Sequence, residues 1–349
     1  MKSNLSAFLL LFLLLLHQSL FAKAGIVSSL PKIVSVAIKR FKGKISPKEI
    51  MNHIPDLNFS SPQQNQTLQE IKGLSRIKEY FYNFGYLQYS ETFDDILDQP
   101  TVSAIQTYQQ SFNLQVTGHL NNETLQLILL PRCAVPDRNF DYDFTENVSW
   151  PKAGNQWSQK KNLTYGFLPE SDIPDNAKKV FGQAFTRWAN ATGRLNLTQT
   201  NYTDADIKVG FYVLDDVYDF DVDVFGISFI REESPFSVKT AEIRLNANRS
   251  WALPSENNSL SWEDDVLDLE SVTMHEIGHL LGFDHSFLHE SVMYPYILPS
   301  QQRKIQLSNF DKNNIFQQYN NARSGYCGNW RVLVIITLSL GFGYMVLLA

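Results

Sequence analysis

Cysteine is almost missing from this chain. Only Cys133 and Cys327 occur in 349 residues, so a disulfide framework cannot hold the fold and a core must rest on packing. Histidine is scarce as well, seven in all, so any cluster of it is informative. A basic balance is also lacking. The formal net charge is -6, which speaks against nucleic acid as a partner and against a polybasic membrane patch. No internal repeat is visible. Apolar content, by contrast, is an ordinary 44%, enough for one large domain or two modest ones.

The two ends stand apart from the rest. Lys2 precedes an apolar stretch from Ala7 to Leu16, followed by Ala22-Lys23-Ala24. A charged region, an apolar region and an A-x-A site in that order predict a signal peptide over residues 1–24; the apolar run is short for a membrane span. At the other end residues 332–349 carry no charge, behind Asn320-Asn321-Ala322 and a spacer from Arg323 to Arg331. Small residues, spacer and apolar tail predict a lipid (GPI) anchor signal over 321–349, with Asn320 as the attachment residue and Asn321 or Ser324 as alternatives. A single transmembrane helix stays open, since about 18 apolar residues can just cross a bilayer. Loss of that tail would remove Cys327 and leave Cys133 as a lone thiol. N-x-S/T triplets recur from Asn58 to Asn257, a density that fits a glycosylated, secreted chain at the outer face of the plasma membrane.

Between the ends the pattern changes twice. Residues 25–72 read as a lead-in rich in Ser, Gln, Asn and Pro. From about 73 to 130 the spacing is helical. Leu74, Ile77, Tyr80, Phe81 and Phe84 predict one helix stopped by Gly85, Ala104 to Phe112 a second, and a start near Asn121 or Asn122 a third. After Asp137, strands are expected at Leu163–Leu168, Ile207–Leu214, Gly226–Ile230 and Glu242–Leu245. Helices are expected at Ala177–Ala189, Leu269–Leu281 and from Ser308 to Tyr319, the last opened by a capping box with Asp311 in place of Glu or Gln.

The chemistry is concentrated in His275-Glu276-Ile277-Gly278-His279-Leu280-Leu281-Gly282-Phe283-Asp284-His285. His275 and His279, four apart on a helix, point the same way, so both imidazoles reach one zinc ion. Glu276 is placed to approach a metal-activated water as general base. Gly282 can turn left-handed and end the helix, which brings His285 back as third ligand. Three neutral nitrogens leave a fourth position open, as catalytic zinc requires. The extended spacing, with Met293 a short loop later, marks the metzincin proteases far more specifically than H-E-x-x-H alone.

Pro131-Arg132-Cys133-Ala134-Val135-Pro136-Asp137 resembles the cysteine switch of matrix metalloproteinases, and the layout without a hemopexin-like domain is similar to their plant members. Residues 101–109 and 116–120 resemble the peptidoglycan-binding-like fold of metalloproteinase propeptides. The resemblance spans Gly73 to Tyr319. It implies an α+β metzincin catalytic domain over 140–320, with a twisted mixed sheet and three helices. A propeptide over 25–139 would precede it, with its small helical domain at about 73–130 and the switch at 131–137. It further implies a zymogen in which Cys133 occupies the open zinc position, and a Met-turn at Met293 under the histidines. Ala134 stands where the family usually has Gly, so its methyl is expected to crowd the prosegment against the cleft. The activity implied is cleavage of extracellular matrix or cell-wall proteins by a monomer. The edge strand at Gly226–Ile230 would take an extended substrate, and Pro295-Tyr296-Ile297 would either wall the pocket for the residue after the cleaved bond or simply pack.

Departures from the family pattern matter too. A second, structural zinc would need histidines that fall near Asp216, at Ile227 and at Arg244. Asn246 and Arg249 stand at usual calcium carboxylate positions, and Arg244 and Arg249 would repel a cation. Structural zinc is therefore expected to be absent. Calcium binding there is expected to be lost or reduced, although Asp206 still matches one calcium ligand position; the acidic run Asp215, Asp216, Asp219, Asp221 and Asp223 reads as a solvated loop. These losses suggest an alternative, a binding or signalling module on a protease scaffold, against which Glu276 argues.

Overall fold

The computed structural model describes residues 69–138, 148–154, 157, 160–214, 224–234, 237–254, 266–297 and 303–320. The expected signal peptide, the lead-in up to residue 68 and the C-terminal tail at 321–349 lie outside the described residues.

The first unit is helical: α1 (Leu74–Asn83), α2 (Gln99–Ser111) and α3 (Asn122–Ile128), with a short antiparallel pair of β1 (Gln69–Glu70) and β2 (Ile96–Leu97). Leu74, Phe81, Ile105, Tyr108 and Leu125 meet in one core, which is why the apolar stripe recurs at helical spacing. Gly73 enters α1 at φ 87°, and Asp95 accepts from the Gly73 and Ser75 amides at 3.0 and 2.8 Å. Apolar spacing alone places the start of α2 too late. It begins at Gln99, where Asp98 accepts from the Thr101 amide at 2.8 Å and a proline occupies the first turn. Asn121 caps α3.

The second unit is built on a seven-stranded sheet in the order β3-β8-β9-β7-β5-β6, with β4 also on β8. These strands are β3 (Arg132–Cys133), β4 (Val148–Ser149), β5 (Asn162–Phe167), β6 (Asn196–Gln199), β7 (Ile207–Tyr212), β8 (Val224–Ser234) and β9 (Ser237–Asn246). A separate parallel pair joins β10 (Ser250–Ala252) to β11 (Val266–Asp268). Alternating Leu163, Ile207, Val209, Ile243 and Leu245 enter the core together with Val180, Phe181, Phe185 and Trp188 of α4 (Asp175–Thr192). α5 (Leu269–Leu280) is buried along its whole length, capped by Asp268. α6 (Asn309–Ile315) opens on the expected capping box of Ser308 and Asp311, then passes into a π turn over Phe316–Asn320 rather than running on as α-helix to Tyr319. The class is thus α+β, a mixed sheet with three helices behind a small helical unit. No described helix is long and apolar enough to cross a membrane.

The two units lend residues to each other. Arg132 and Cys133 form a strand parallel to β8, and Cys133, Ala134 and Val135 belong to the core of the second unit. In return Tyr296 is buried in the core of the first. Its hydroxyl bonds those of Tyr80 at 2.8 Å and Tyr108 at 2.6 Å, and its ring lies 5.3 Å from that of Phe112. Tyr296 is therefore a docking contact between the two units in this structure.

Candidate metal centre

Each histidine of the motif is aimed by its outer nitrogen. The His275 Nδ1 lies 2.9 Å from the Val292 carbonyl and the His279 Nδ1 2.9 Å from the Phe283 carbonyl. His285 places Nδ1 2.7 Å from a carboxylate oxygen of Asp137. Carbonyl and carboxylate oxygens only accept, so in all three rings Nδ1 carries the proton and Nε2 offers its lone pair. Those three Nε2 atoms stand 3.1, 3.1 and 3.2 Å apart, and the Cys133 Sγ lies 3.6 Å from the His279 Nε2. A tetrahedral zinc with nitrogens at about 2.0–2.1 Å and sulfur at about 2.3 Å has ligand edges of about 3.3 and 3.6 Å. The donor set fits zinc by type and by spacing. Cys133, His275, His279 and His285 are the one such group among the described residues.

Local sequence explains the convergence. The four-residue spacing stacks His275 and His279 on one face of α5. Gly282, at φ 85°, takes the left-handed turn that ends the helix, and the chain doubles back to His285. Gly278 was not singled out by the spacing, yet a Cβ there would lie 2.3 Å from the Met293 sulfur. Met293 thus packs against bare helix backbone between the two ligands. The neighbouring Val292 carbonyl serves His275, so the Met-turn aims a ligand as well as flooring the site.

Electrostatics suit the assignment. Burial pushes the pKa of all three imidazoles down, which keeps them in the neutral, ligating form. Burial lifts the Glu276 carboxyl to about 7, against the Ser228 hydroxyl and the neighbouring Cys133 thiol, which lower it. The Ser228 hydroxyl donates to one oxygen of Glu276 at 2.5 Å, while the other, Oε1, has no partner and is free for a proton. Burial also pushes the Cys133 thiol up. Asp137 goes the other way. Burial raises its carboxyl, but the Arg132 guanidinium at 2.6 Å and His285 more than offset that and bring it to about 2.

A scan of family models matches residues 156–320 to Matrixin and residues 72–128 to a peptidoglycan-binding domain. The chain is 35% identical to metalloendoproteinase 2-MMP of Arabidopsis thaliana over 72% of its own length and 71% of the relative's. It is 34% identical to 5-MMP of the same plant, covering 79% and 82%, and 36% identical to metalloendoproteinase 1 of Glycine max, covering 72% and 83%. The chain is a matrixin. As such it is a zinc-dependent metalloendopeptidase.

Within this matrixin two positions singled out by the sequence have partners of their own. Asp206 is not isolated. It pairs with the Lys160 ammonium and accepts from the Thr164 amide at 3.0 Å and hydroxyl at 3.1 Å. Ala134 lies beside the metal centre. It is fully buried, donates its amide to the Gly226 carbonyl at 2.9 Å, and leaves Cys133 at the histidines. At the positions of a second zinc, Ile227 and Arg244 are register partners on β8 and β9. The Arg244 guanidinium lies 4.9 Å from the Tyr212 ring and 5.3 Å from that of Phe229, and pairs with Glu242 at 2.9 Å. Neither side chain can ligate a cation. Asp216 lies outside the described residues. Asn246, at a calcium position, donates to the Val224 carbonyl at 2.9 Å. Asn320 ends the last described turn; its side chain is not among those described.

Proposed function

We propose that this matrixin is made as a secreted zymogen whose Cys133 thiolate fills the fourth zinc position, and that removal of the segment before about residue 140 unmasks an endopeptidase for extracellular matrix or cell-wall proteins. The observation that carries the reading is the seat of Cys133, fully buried with its sulfur 3.6 Å from the His279 Nε2. A thiolate is a good zinc ligand, and a residue that completes the tetrahedron excludes the water that hydrolysis needs.

In the opened enzyme His275, His279 and His285 would hold zinc, which supplies Lewis acidity and a water of lowered pKa. Glu276, on the helix between the two ligands, would serve as general base and then general acid, holding the transferred proton on its unpartnered Oε1. Ser228 keeps the carboxylate aimed. Gly226 allows the close approach, since a Cβ there would lie 2.9 Å from Oε1. The edge of β8 that now pairs with Arg132 and Cys133 is left for an extended substrate by strand addition. Secretion and a C-terminal membrane attachment, through a lipid at Asn320 or a single helix, belong to the same proposal and are supported by the sequence of the two ends.

The test is peptide cleavage by the propeptide-free chain and its Glu276→Gln variant. Wild type should cleave, and the variant should retain zinc and lose about 10²- to 10⁴-fold in kcat/KM. A zinc-loaded wild type as inactive as the variant would favour a binding or signalling module on a protease scaffold.

A further inference from the structure

Two of the three imidazoles are aimed by backbone carbonyls of their own domain, Val292 and Phe283, and these stay when the prosegment leaves. The third is not. His285 gives its Nδ1 proton to Asp137, the last residue of the switch segment, at 2.7 Å. Both side chains are fully enclosed. Everything that fixes Asp137 comes from the first unit and the switch. The Arg132 guanidinium is 2.6 Å away and rests 3.5 Å over the Phe84 ring. The Tyr86 hydroxyl donates at 2.8 Å to the other carboxylate oxygen, and the Asp137 amide donates to the Phe84 carbonyl at 3.2 Å.

We infer that Asp137 is a positioning residue for zinc: its carboxylate fixes the tautomer and direction of His285 and strengthens its Nε2 as a donor, so that the zymogen holds its metal more tightly than the thiolate of Cys133 alone accounts for. A carboxylate behind a ligating imidazole polarises the ring more than a carbonyl does, and loss of such a partner weakens metal binding by about 10- to 100-fold. Activation on this account removes a ligand and also the support of a second ligand. The mature enzyme is the looser zinc binder, with His285 the first imidazole free to turn. The inference rests on the zinc-bound zymogen proposed above.

The same carboxylate also neutralises Arg132, so a purely structural role must be separated from a role at the metal. The experiment is chelator competition on the full chain, as wild type, Asp137→Asn and Arg132→Gln. Cobalt substitution monitors the Cys133 sulfur through its charge-transfer band. Asp137→Asn should keep the band yet give up zinc at about 10- to 100-fold lower chelator strength. Arg132→Gln breaks the ion pair but leaves the carboxylate on His285, held by Tyr86 and by the Phe84 carbonyl, and should give up zinc far less readily than Asp137→Asn. The inference is overturned if Asp137→Asn holds zinc as tightly as wild type, or if Arg132→Gln loses it to the same degree. Should either variant fail to fold, histidine-selective nitrogen-15 labelling of the zinc-loaded wild type decides. The Nδ1 proton of His285 should resonate downfield of those of His275 and His279, and coincidence with them overturns the inference. A wild-type full chain that binds no zinc sinks the zymogen reading itself. A zinc-loaded wild type beside an equally tight Asp137→Asn sinks only this one.

Discussion

Glu276 combines complete burial with one hydrogen-bonded and one unpartnered oxygen, and burial is the largest cause of its elevated carboxyl, at about 7 in the closed chain. Removing the prosegment admits water to the carboxylate, and a bound zinc ion beside it favours the anion. Both effects lower the pKa, and they oppose the smaller effect of losing the Cys133 thiol beside it. A general base works once deprotonated, so kcat/KM of the propeptide-free enzyme should fall on the acid side with its limb below about 7, the closed-chain value. A pH profile with the limb at or above that value would contradict the assignment of burial as the dominant cause.

At the scale of single elements, α5 carries the site and was also the most legible part of the chain. Its histidine spacing, the stop at Gly282 and the return to His285 follow from helix geometry alone. Gly278 was less legible, because its reason lies in a neighbour brought there by the Met-turn. An Ala in its place must displace the Met293 sulfur, which a Cβ would meet at 2.3 Å, and disturb Trp188, which it would meet at 3.0 Å. Overpacking of this kind costs about 1–3 kcal/mol. Gly278→Ala should therefore lower the denaturant midpoint of the propeptide-free domain and loosen its zinc; an unchanged midpoint would show that the turn adapts freely. β3 was not legible as a strand. Two residues give no periodicity, and its partner β8 lies far along the sequence. The early start of α2 was written in Asp98 and Pro100 but masked by the weaker apolar signal ahead of Ala104.

At the scale of the whole molecule, the two units are joined by an exchange between two cores. The second unit gives Tyr296 to the first, and the first returns Cys133, Ala134 and Val135. The sequence pointed to Cys133 in the second unit through its resemblance to a cysteine switch, but kept Tyr296 within its own domain, because an interface between domains reads as core on either side. The contact of Asp137 with His285 was hidden as well: the two are far apart in sequence, and only the fold brings them together. Tyr296→Phe removes the hydroxyl that bonds both Tyr80 and Tyr108 in a buried site. Leaving such partners unsatisfied costs about 1–3 kcal/mol, or roughly 5- to 150-fold in the equilibrium for undocking. Cys133 of the Tyr296→Phe zymogen should react with a thiol reagent faster than wild type by that order, and an unchanged rate would remove Tyr296 from the docking account.

The central claim is that one zinc ion is bound by His275, His279, His285 and the sulfur of Cys133. X-ray absorption at the zinc edge of the full chain tests it most directly. The account predicts three nitrogens at about 2.0–2.1 Å and one sulfur at about 2.3 Å, with the sulfur gone after propeptide removal. A zinc shell of nitrogen and oxygen alone in the full chain would contradict it.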